Sequence, residues 1–345
     1  MGQENEIKIN PLPSKTWNWL KLNDVTIRWN MDVSPCRIQE TGSQQTETLN
    51  ENDCDLKIAT GAGQETDAIF TTDNIAKKVI SGKQKESKVC VNISSEAEDS
   101  AGLLYIRAKE GEQISVIETF LPGESGQLAF RTLVQAEKDS KVRLVQVFMQ
   151  DQTLLNDVGC VCDRQADFEV VQLFVGKGNL YNGIRTDLKG DFAHTGQSIG
   201  YFGQHKQVID VNLVVNHFGK KTNSEIQVDG TLKDAASKIF RGTIDFKNGS
   251  SQSVGAETES VLLLEDDIVN KTIPVILCAE EDVEGSHGAT IGDLDEETLF
   301  YFASRGIDKD AAQEIVARGK MEVLYRKIQD DEVEQLVEKQ LLEVM

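Results

Sequence analysis

The run VIDVNLVV, residues 208–215, decides how the middle of this chain is read. Strict alternation would give a strand with one wet face, but Val211, Leu213, Val214 and Val215 place apolar groups partly on both faces. Such a strand suits coils stacked around a filled interior better than a half-solvated sheet. Seven further runs share its texture, at 103–107, 114–120, 128–134, 142–148, 168–175, 224–232 and 239–246, separated by Gly, Asp, Asn, Lys and Ser turns. Long helical periodicity is nearly absent across this stretch. Evenly spaced strands close a barrel, pack as a sandwich or stack as a solenoid, and periodicity alone does not choose. The two-faced strands and recurring tight turns favour the solenoid. A strict hexapeptide rhythm is missing, so its coils are expected to be irregular.

Outward from this core the texture changes on both sides. Residues 11–30 hold all three tryptophans (Trp17, Trp19, Trp29), as a short docked element followed by a strand whose rings need a surface to cover. Residues 39–63 are polar and Gly-rich and support no definite element. Residues 68–81 carry Ile69, Ile75, Ala76, Val79 and Ile80 at a spacing that predicts one short helix. After Gly292 the period becomes helical. Asp293 and Glu296 form a capping-box-like start, Leu299, Phe302 and Ala303 a stripe, and Gly306 sits at a C′ position. A second helix is expected from Asp308 to Gly319, and a third after Asp330 and Asp331, with Val333, Leu336, Val337, Leu341 and Val344 on one face. The domain reading is a mixed N-terminal region at 1–88, a β core at 89–291 and a helical unit at 292–345.

The formal charge of −21, from 57 acidic against 36 basic residues, argues against nucleic acid and anionic membranes as partners. Metal ions and basic protein surfaces remain. No run reaches the roughly 18 to 20 apolar residues of a membrane span, and residues 1–10 lack a signal peptide's basic then apolar order, so the chain is expected in the cytosol. The six cysteines, Cys36, Cys54, Cys90, Cys160, Cys162 and Cys278, are sparse and unevenly placed, which reads as reduced thiols. Alternation puts Cys160 and Cys162 on one face with Val158, an interior packing pattern, and Cys90 opposite Val89, Val91 and Ile93, hence toward solvent. Cys36 and Cys54 fall in loops. His194, His205 and His217 lie in or beside turns without metal spacing and read as structural. Gly219-Lys220-Lys221-Thr222 lacks the first glycine of a phosphate loop, since Val214 stands there, so this chain is expected to bind no nucleotide.

The segment 261–306, VLLLEDDIVNKTIPVILCAEEDVEGSHGATIGDLDEETLFYFASRG, closely resembles the signature of the SufB/SufD family of iron–sulfur cluster assembly scaffolds. The matches run in order: a triple-leucine strand at 262–264, Pro274, the acidic turn 281–283, Ser286 to Thr290, the acidic helix start 293–297, Phe300 and Tyr301, then Arg305 and Gly306. Phe240, Arg241 and Gly242 resemble the preceding family piece, and Trp17 to Leu22 the N-terminal tryptophan segment more weakly. The resemblance implies a right-handed parallel β-helix with a C-terminal helical domain that docks a SufC-type ABC ATPase, with Leu299, Phe300, Tyr301 and Arg305 in the docking helix. It further implies pairing with a SufB/SufD-type partner or a second copy, a cysteine-derived sulfur donor, and a transient cluster where the paired helices meet. Cys278 lies four residues after Pro274, at a SufB-like cysteine position, and His287 at the SufD-like histidine. Gly285 and Gly288 depart from the pattern: a SufD-type cysteine and a SufB-type glutamate are missing there.

Thiolate and imidazole suit iron bound with sulfide, and Glu281 and Asp282 beside them would act as weaker oxygen donors during iron entry. An incomplete ligand set fits a scaffold that must release its cluster. By packing alone, Cys278 beside Ile276 and Leu277 reads as a small core hydrophobe, His287 as a turn histidine, and the acidic run as a solvated face. No catalytic residue is expected. Two other readings stand beside the scaffold: a structural partner of a separate SufB that carries no cluster, and a carbohydrate-active β-helix enzyme. The second is disfavoured by 6% aromatic content without a ladder.

Overall fold

All eight runs read from the sequence are strands, and they belong to two parallel sheets. The structure is a computed structural model that describes residues 4–15, 18–41, 46–47, 54, 57–82 and 85–345. Its strands in chain order begin with β1 (Glu4–Ile9), β2 (Val25–Asn30), β3 (Ser34–Pro35), β4 (Arg37–Thr41), β5 (Thr46–Glu47), β6 (Ala76–Gly82), β7 (Glu86–Ser94) and β8 (Asp99–Ala108). They continue with β9 (Gln113–Phe120), β10 (Gln127–Ala136), β11 (Lys141–Phe148), β12 (Thr153–Cys162), β13 (Asp167–Phe174), β14 (Leu180–Leu188) and β15 (His194–Gly203). The last are β16 (Val208–His217), β17 (Asn223–Leu232), β18 (Ser237–Phe246), β19 (Ser253–Leu263), β20 (Val269–Cys278) and β21 (Val283–Gly292). From β6 onward the even strands stack parallel in one sheet and the odd strands in the other. Register partners lie 26 to 32 residues apart. The chain is thus a parallel β-solenoid of about eight turns with C-terminal helices, as the sequence predicts, and its coils do vary in length.

Inward side chains from both sheets fill the lumen. Phe120, Phe130, Phe148, Phe168, Leu213 and Phe246 belong to one continuous apolar column. Cys160 and Cys162 are buried within it, as alternation predicts. A polar ladder runs alongside: Gln146 Nε2 donates to Glu118 Oε2 (2.6 Å), Gln172 Nε2 to Gln146 Oε1 (2.6 Å), and Asn156 Nδ2 to Asn182 Oδ1 (2.8 Å). Each added coil therefore satisfies the amides of the one below. The corners repeat too. Asp139, Gln165, Phe192, Lys221 and Gln252 all adopt positive φ, a cost of roughly 1 kcal/mol each for a non-glycine residue. It is offset by hydrogen bonds between stacked corners, such as Gln165 N to Asp191 O and Phe192 N to Lys220 O, both 2.9 Å.

The strands are apolar on both faces because both outer faces are covered. The N-terminal region lies on the even sheet: Ile9, Ile27, Trp29, Ile69 and Phe70 pack on Leu103, Tyr105, Leu133 and Leu155. Two buried ion pairs help fix it. Arg131 holds Asp157 (2.7 Å) beneath Thr66, and Arg241 holds Asp210 (2.7 Å) while donating to the Leu22 carbonyl (2.8 Å). The expected helix over 68–81 is corrected: a single turn, α1 (Asp67–Phe70), precedes β6, because Val79 and Ile80 are taken into the even sheet. Trp29 is buried but Trp19 is exposed, and Trp17 lies outside the described residues. Cys36 lies in the link between β3 and β4, as expected, but is buried against Gly102, and burial pushes it up to about 12.

The odd sheet is covered by the C-terminal helices α2 (Glu296–Ser304), α3 (Lys309–Tyr325) and α4 (Asp331–Val344). Met321, Leu324, Ile328, Val337 and Leu341 pack on Val145, Val147, Val171, Leu173 and Phe202. Asp308 and Asp330 cap α3 and α4 as expected, through Ala311 N (2.9 Å) and Val333 N (3.0 Å). Three details differ. The α2 cap is Asp295, not Asp293; α3 runs through Gly319 to Tyr325; and Leu336 faces solvent. Cys90, expected to face solvent, is half-buried under the start of α4, 4.0 Å from Asp330 Oδ2. Gly306 has φ +77, the left-handed C′ position its sequence context predicts.

Candidate functional site

Inward and outward positions can be followed coil by coil to the end of the solenoid. Cys278 sits in register on Phe246, which sits on His217, a fully luminal column. His287 sits on Glu257, itself buried inward. Both are therefore lumen-facing residues of the last coil. They are exposed only because, among the described residues, nothing stacks on β20 and β21. His287 is in mid-strand, which corrects the turn histidine that packing alone predicts.

The two stand at different points of the last coil. Cys278 ends β20, and its thiol donates to the Glu280 carbonyl (3.0 Å) in the corner that follows. His287 lies four residues into β21, about 13 Å along the strand. Glu281 and Asp282 are exposed in that corner. The Glu280 carboxylate accepts from Gly249 N (3.0 Å) and Glu281 N (3.1 Å), and the Gly249 N–H in particular holds it below the usual carboxylate range. Among the described residues no three His, Cys, Asp or Glu side chains gather within joint reach of a metal ion. The departures from the family pattern have a steric side: a Cβ on Gly285 would meet Phe246 and Ile276 at 3.1 and 3.2 Å, whereas Gly288 faces open space.

Directly beneath the last coil lies a charged cluster that no motif marks. Lys238 is fully buried, bonded to Glu259 and 3.1 Å from Thr272 Oγ1, and Thr272 donates to Glu259 Oε2 (2.6 Å). Burial lowers the ammonium against the pull of Glu259. Beside it the Glu257 carboxyl is pushed up to about 7, first by burial and then by the charge of Glu259. A signal for it exists in the sequence: in GAETESV, alternation places Glu257 and Glu259 on the same face as luminal Val261. Further in, burial drops His217 to about 4, so it is a neutral hydrogen-bonding residue between Thr222 (2.7 Å) and Ser224 (2.9 Å), structural as expected.

On α2 the four residues singled out for docking divide. Phe300 is 75% exposed and Tyr301 also faces solvent, with the Arg305 guanidinium 5.2 Å from the Tyr301 ring centre; Leu299 is half-buried. No residue of α2 is buried. Two neighbouring exposed aromatics on a protruding helix form an unpartnered face of the kind that marks contact surfaces.

These features describe a stacked-strand body with an open, thiol- and imidazole-bearing end and helices laid along one side. Comparison with known proteins agrees. Residues 91–320 match the model of the SUF system FeS cluster assembly SufBD core domain, and the chain belongs to that family. It is similar to the iron–sulfur cluster assembly protein SufD of Bacillus subtilis, 29% identical over 167 residues, covering 48% of this chain and 38% of that protein. It is also similar to SufD of Plasmodium berghei, 23% identical over 303 residues (85% of this chain, 22% of that one). A chloroplastic protein of Arabidopsis thaliana is 21% identical over 217 residues (61% and 46%). The chain thus spans less than half the length of each of these relatives. No described helix is long and apolar enough to cross a membrane.

Proposed function

We propose that this chain is a scaffold subunit of a SUF-type assembly complex, pairing end to end through its last coil and holding a nascent iron–sulfur cluster at that junction. The observation that carries the reading is the uncapped coil: two ten-residue strands offer unpaired edges, and their inward side chains, Cys278 and His287, stand in the open. With Cys278 at the end of β20 and His287 in mid-β21, the cluster is a shared object, its thiol and imidazole supplied across a contact with a SufB/SufD-type partner or a second copy. An ABC ATPase docks on the Phe300 and Tyr301 face of α2, with Leu299 and Arg305 framing it, and sulfur reaches the junction from a cysteine-derived donor. Hydrolysis of ATP belongs to that partner, so this chain is not itself an enzyme and works in the cytosol. The lack of three gathered donors among the described residues also favours a second reading, a structural partner that carries no cluster.

Anaerobic reconstitution with iron and sulfide separates the two. The wild-type complex gains sulfide-to-iron charge-transfer absorbance, and Cys278→Ala or His287→Ala weakens it severalfold. Full absorbance in both variants places the cluster elsewhere, and none in the wild type leaves the structural partner.

A further inference from the structure

We infer that Glu257 and His287 together form a two-donor seat for a divalent cation at the mouth of the lumen. This deepens the scaffold reading, on which it rests for the identity of the cation as ferrous iron.

Three observations build the seat. His287 and Glu257 are register partners on neighbouring parallel strands, about 4.8 Å apart, and both face inward. Imidazole nitrogen and carboxylate oxygen each bind a borderline divalent ion at roughly 2.0 to 2.2 Å, so the pair can share one ion between them. Next, Glu257 is 3% exposed, and among the described residues its carboxyl enters no hydrogen bond or ion pair, while its oxygens are not fully enclosed. It reaches across the lumen over Gly242, where an added Cβ would come within 2.0 Å of Oε2. A buried carboxyl without a partner is costly and is normally paired or bound to metal. Finally, the buried cation beside it is already engaged: Lys238 bonds Glu259 and Thr272, so two buried carboxyls share a single ammonium. An ion entering from the open end supplies a second positive charge and finds His287 as its second donor. Two protein donors leave the remaining positions open to water, sulfide or a partner's side chain, in keeping with the lack of any three-donor group among the described residues.

The rim of the mouth favours entry. Residues 265–297 carry eleven carboxylates against Lys271, a formal charge of −10, nearly half of the chain's −21 within under a tenth of its length. They draw cations toward the lumen without needing to ligate them.

The test uses the full chain and Co²⁺ alone, followed by its visible absorption under anaerobic conditions. One Co²⁺ binds to the wild type, with the bands shifted by nitrogen ligation, and Glu257→Gln and His287→Ala each weaken binding at least tenfold. Glu257→Gln preserves shape and removes a buried carboxyl, so an unchanged circular dichroism spectrum and a melting midpoint no lower than that of the wild type are expected for it. The inference is overturned if wild type binds no Co²⁺ or Glu257→Gln binds like wild type. It is overturned also if only Glu281→Gln with Asp282→Asn lowers affinity, which moves the ion to the corner. Reconstitution with iron and sulfide is scored separately: a cluster that forms while Co²⁺ affinity ignores Glu257 sinks the seat alone. Lost Co²⁺ binding in Glu257→Gln with no cluster on wild type sinks the scaffold reading alone.

Discussion

At its first coil the solenoid is closed by β4 and β5, which run antiparallel to β7 and β6, while at its last coil β20 and β21 present ten-residue edges to solvent. The closing strands are short, five and two residues, and Trp29, Ile69 and Phe70 of the N-terminal region pack with Leu103 and Tyr105 of the sheet behind them. Short or antiparallel strands and covering segments are the devices by which sheets avoid open edges. The last coil uses none of them. It keeps lumen-type residues, Ile276 and Ile291 as well as Cys278 and His287, at positions where no further described coil buries them. The difference teaches that one end is built for stability and the other for company.

The sharpest way to break that contrast is to delete equivalent side chains at the two places. Phe130 is fully buried, edge-on to Phe120 at 5.3 Å, inside the lumen. Phe130→Ala is expected to cost about 4 kcal/mol, transfer plus cavity. Ile276→Ala, half-buried in the terminal coil, should cost about 1 kcal/mol or less, because the site is already open on one side. Urea unfolding of both variants measures it. Equal losses would show that the terminal coil is as tightly held as the interior.

Next in size is a pH effect in the closed part. Glu118 lies in the lumen with its oxygens accepting from Thr132 (2.9 Å) and Gln146 (2.6 Å), and its register neighbours Val91 and Gln146 bring no charge. Burial raises its carboxyl from an ordinary 4.5 to about 7. A raised acid favours the folded state fully below its unfolded value, and that favour is lost as pH climbs toward the folded value. From pH 5.5, clear of the isoelectric point near 4.6, to pH 8 the loss is about 2 kcal/mol, most of it before pH 7. Glu118→Gln should remove this share of the slope, leaving that of Glu257, and be the more stable protein at pH 8. Parallel slopes for variant and wild type in urea titrations at pH 5.5, 7 and 8 would mean Glu118 is already ionised or already proton-compensated.

The same contrast explains what can be read from sequence. The β-branched runs announce themselves, because burial on both faces demands apolar residues at successive positions: Leu213 and Val215 line the lumen, and Val214 between them is buried on the opposite face. The repeat itself stays hidden, although a small or β-branched buried residue follows each of the five left-handed residues along one corner: Ser140, Ala166, Ala193, Thr222 and Ser253. Coils of unequal length spread these marks unevenly along the chain, so no fixed period connects them. The strand that carries His287 is illegible for another reason. EGSHGAT has no β-branched run, and it is a strand because β19 beneath it supplies the hydrogen-bonding template. Cys278 and His287 are legible through the motif, but Glu257 needs the fold, since its meaning comes from lying under His287 and across from Gly242.

The smallest expected effect on folding is the one that bears most directly on the open end. Ile291 is 43% exposed at an inward position of β21, so Ile291→Lys should change stability by no more than about 0.5 kcal/mol. The same change puts a charge into any end-to-end contact and should abolish pairing there. Salt then tells what the partner is. Both corners of the last coil are acidic, Glu265 to Asp267 on one side and Glu280 to Asp282 on the other, so two copies stacked in either orientation bring acid against acid. Raising salt from about 0.05 M to about 0.5 M shortens the screening length from about 14 Å to about 4 Å. Self-pairing should therefore strengthen with salt, and pairing with a basic-cornered chain should weaken. Sedimentation of wild type and Ile291→Lys across that range reads both; a dimer that ignores salt and survives Ile291→Lys is held together somewhere other than the last coil.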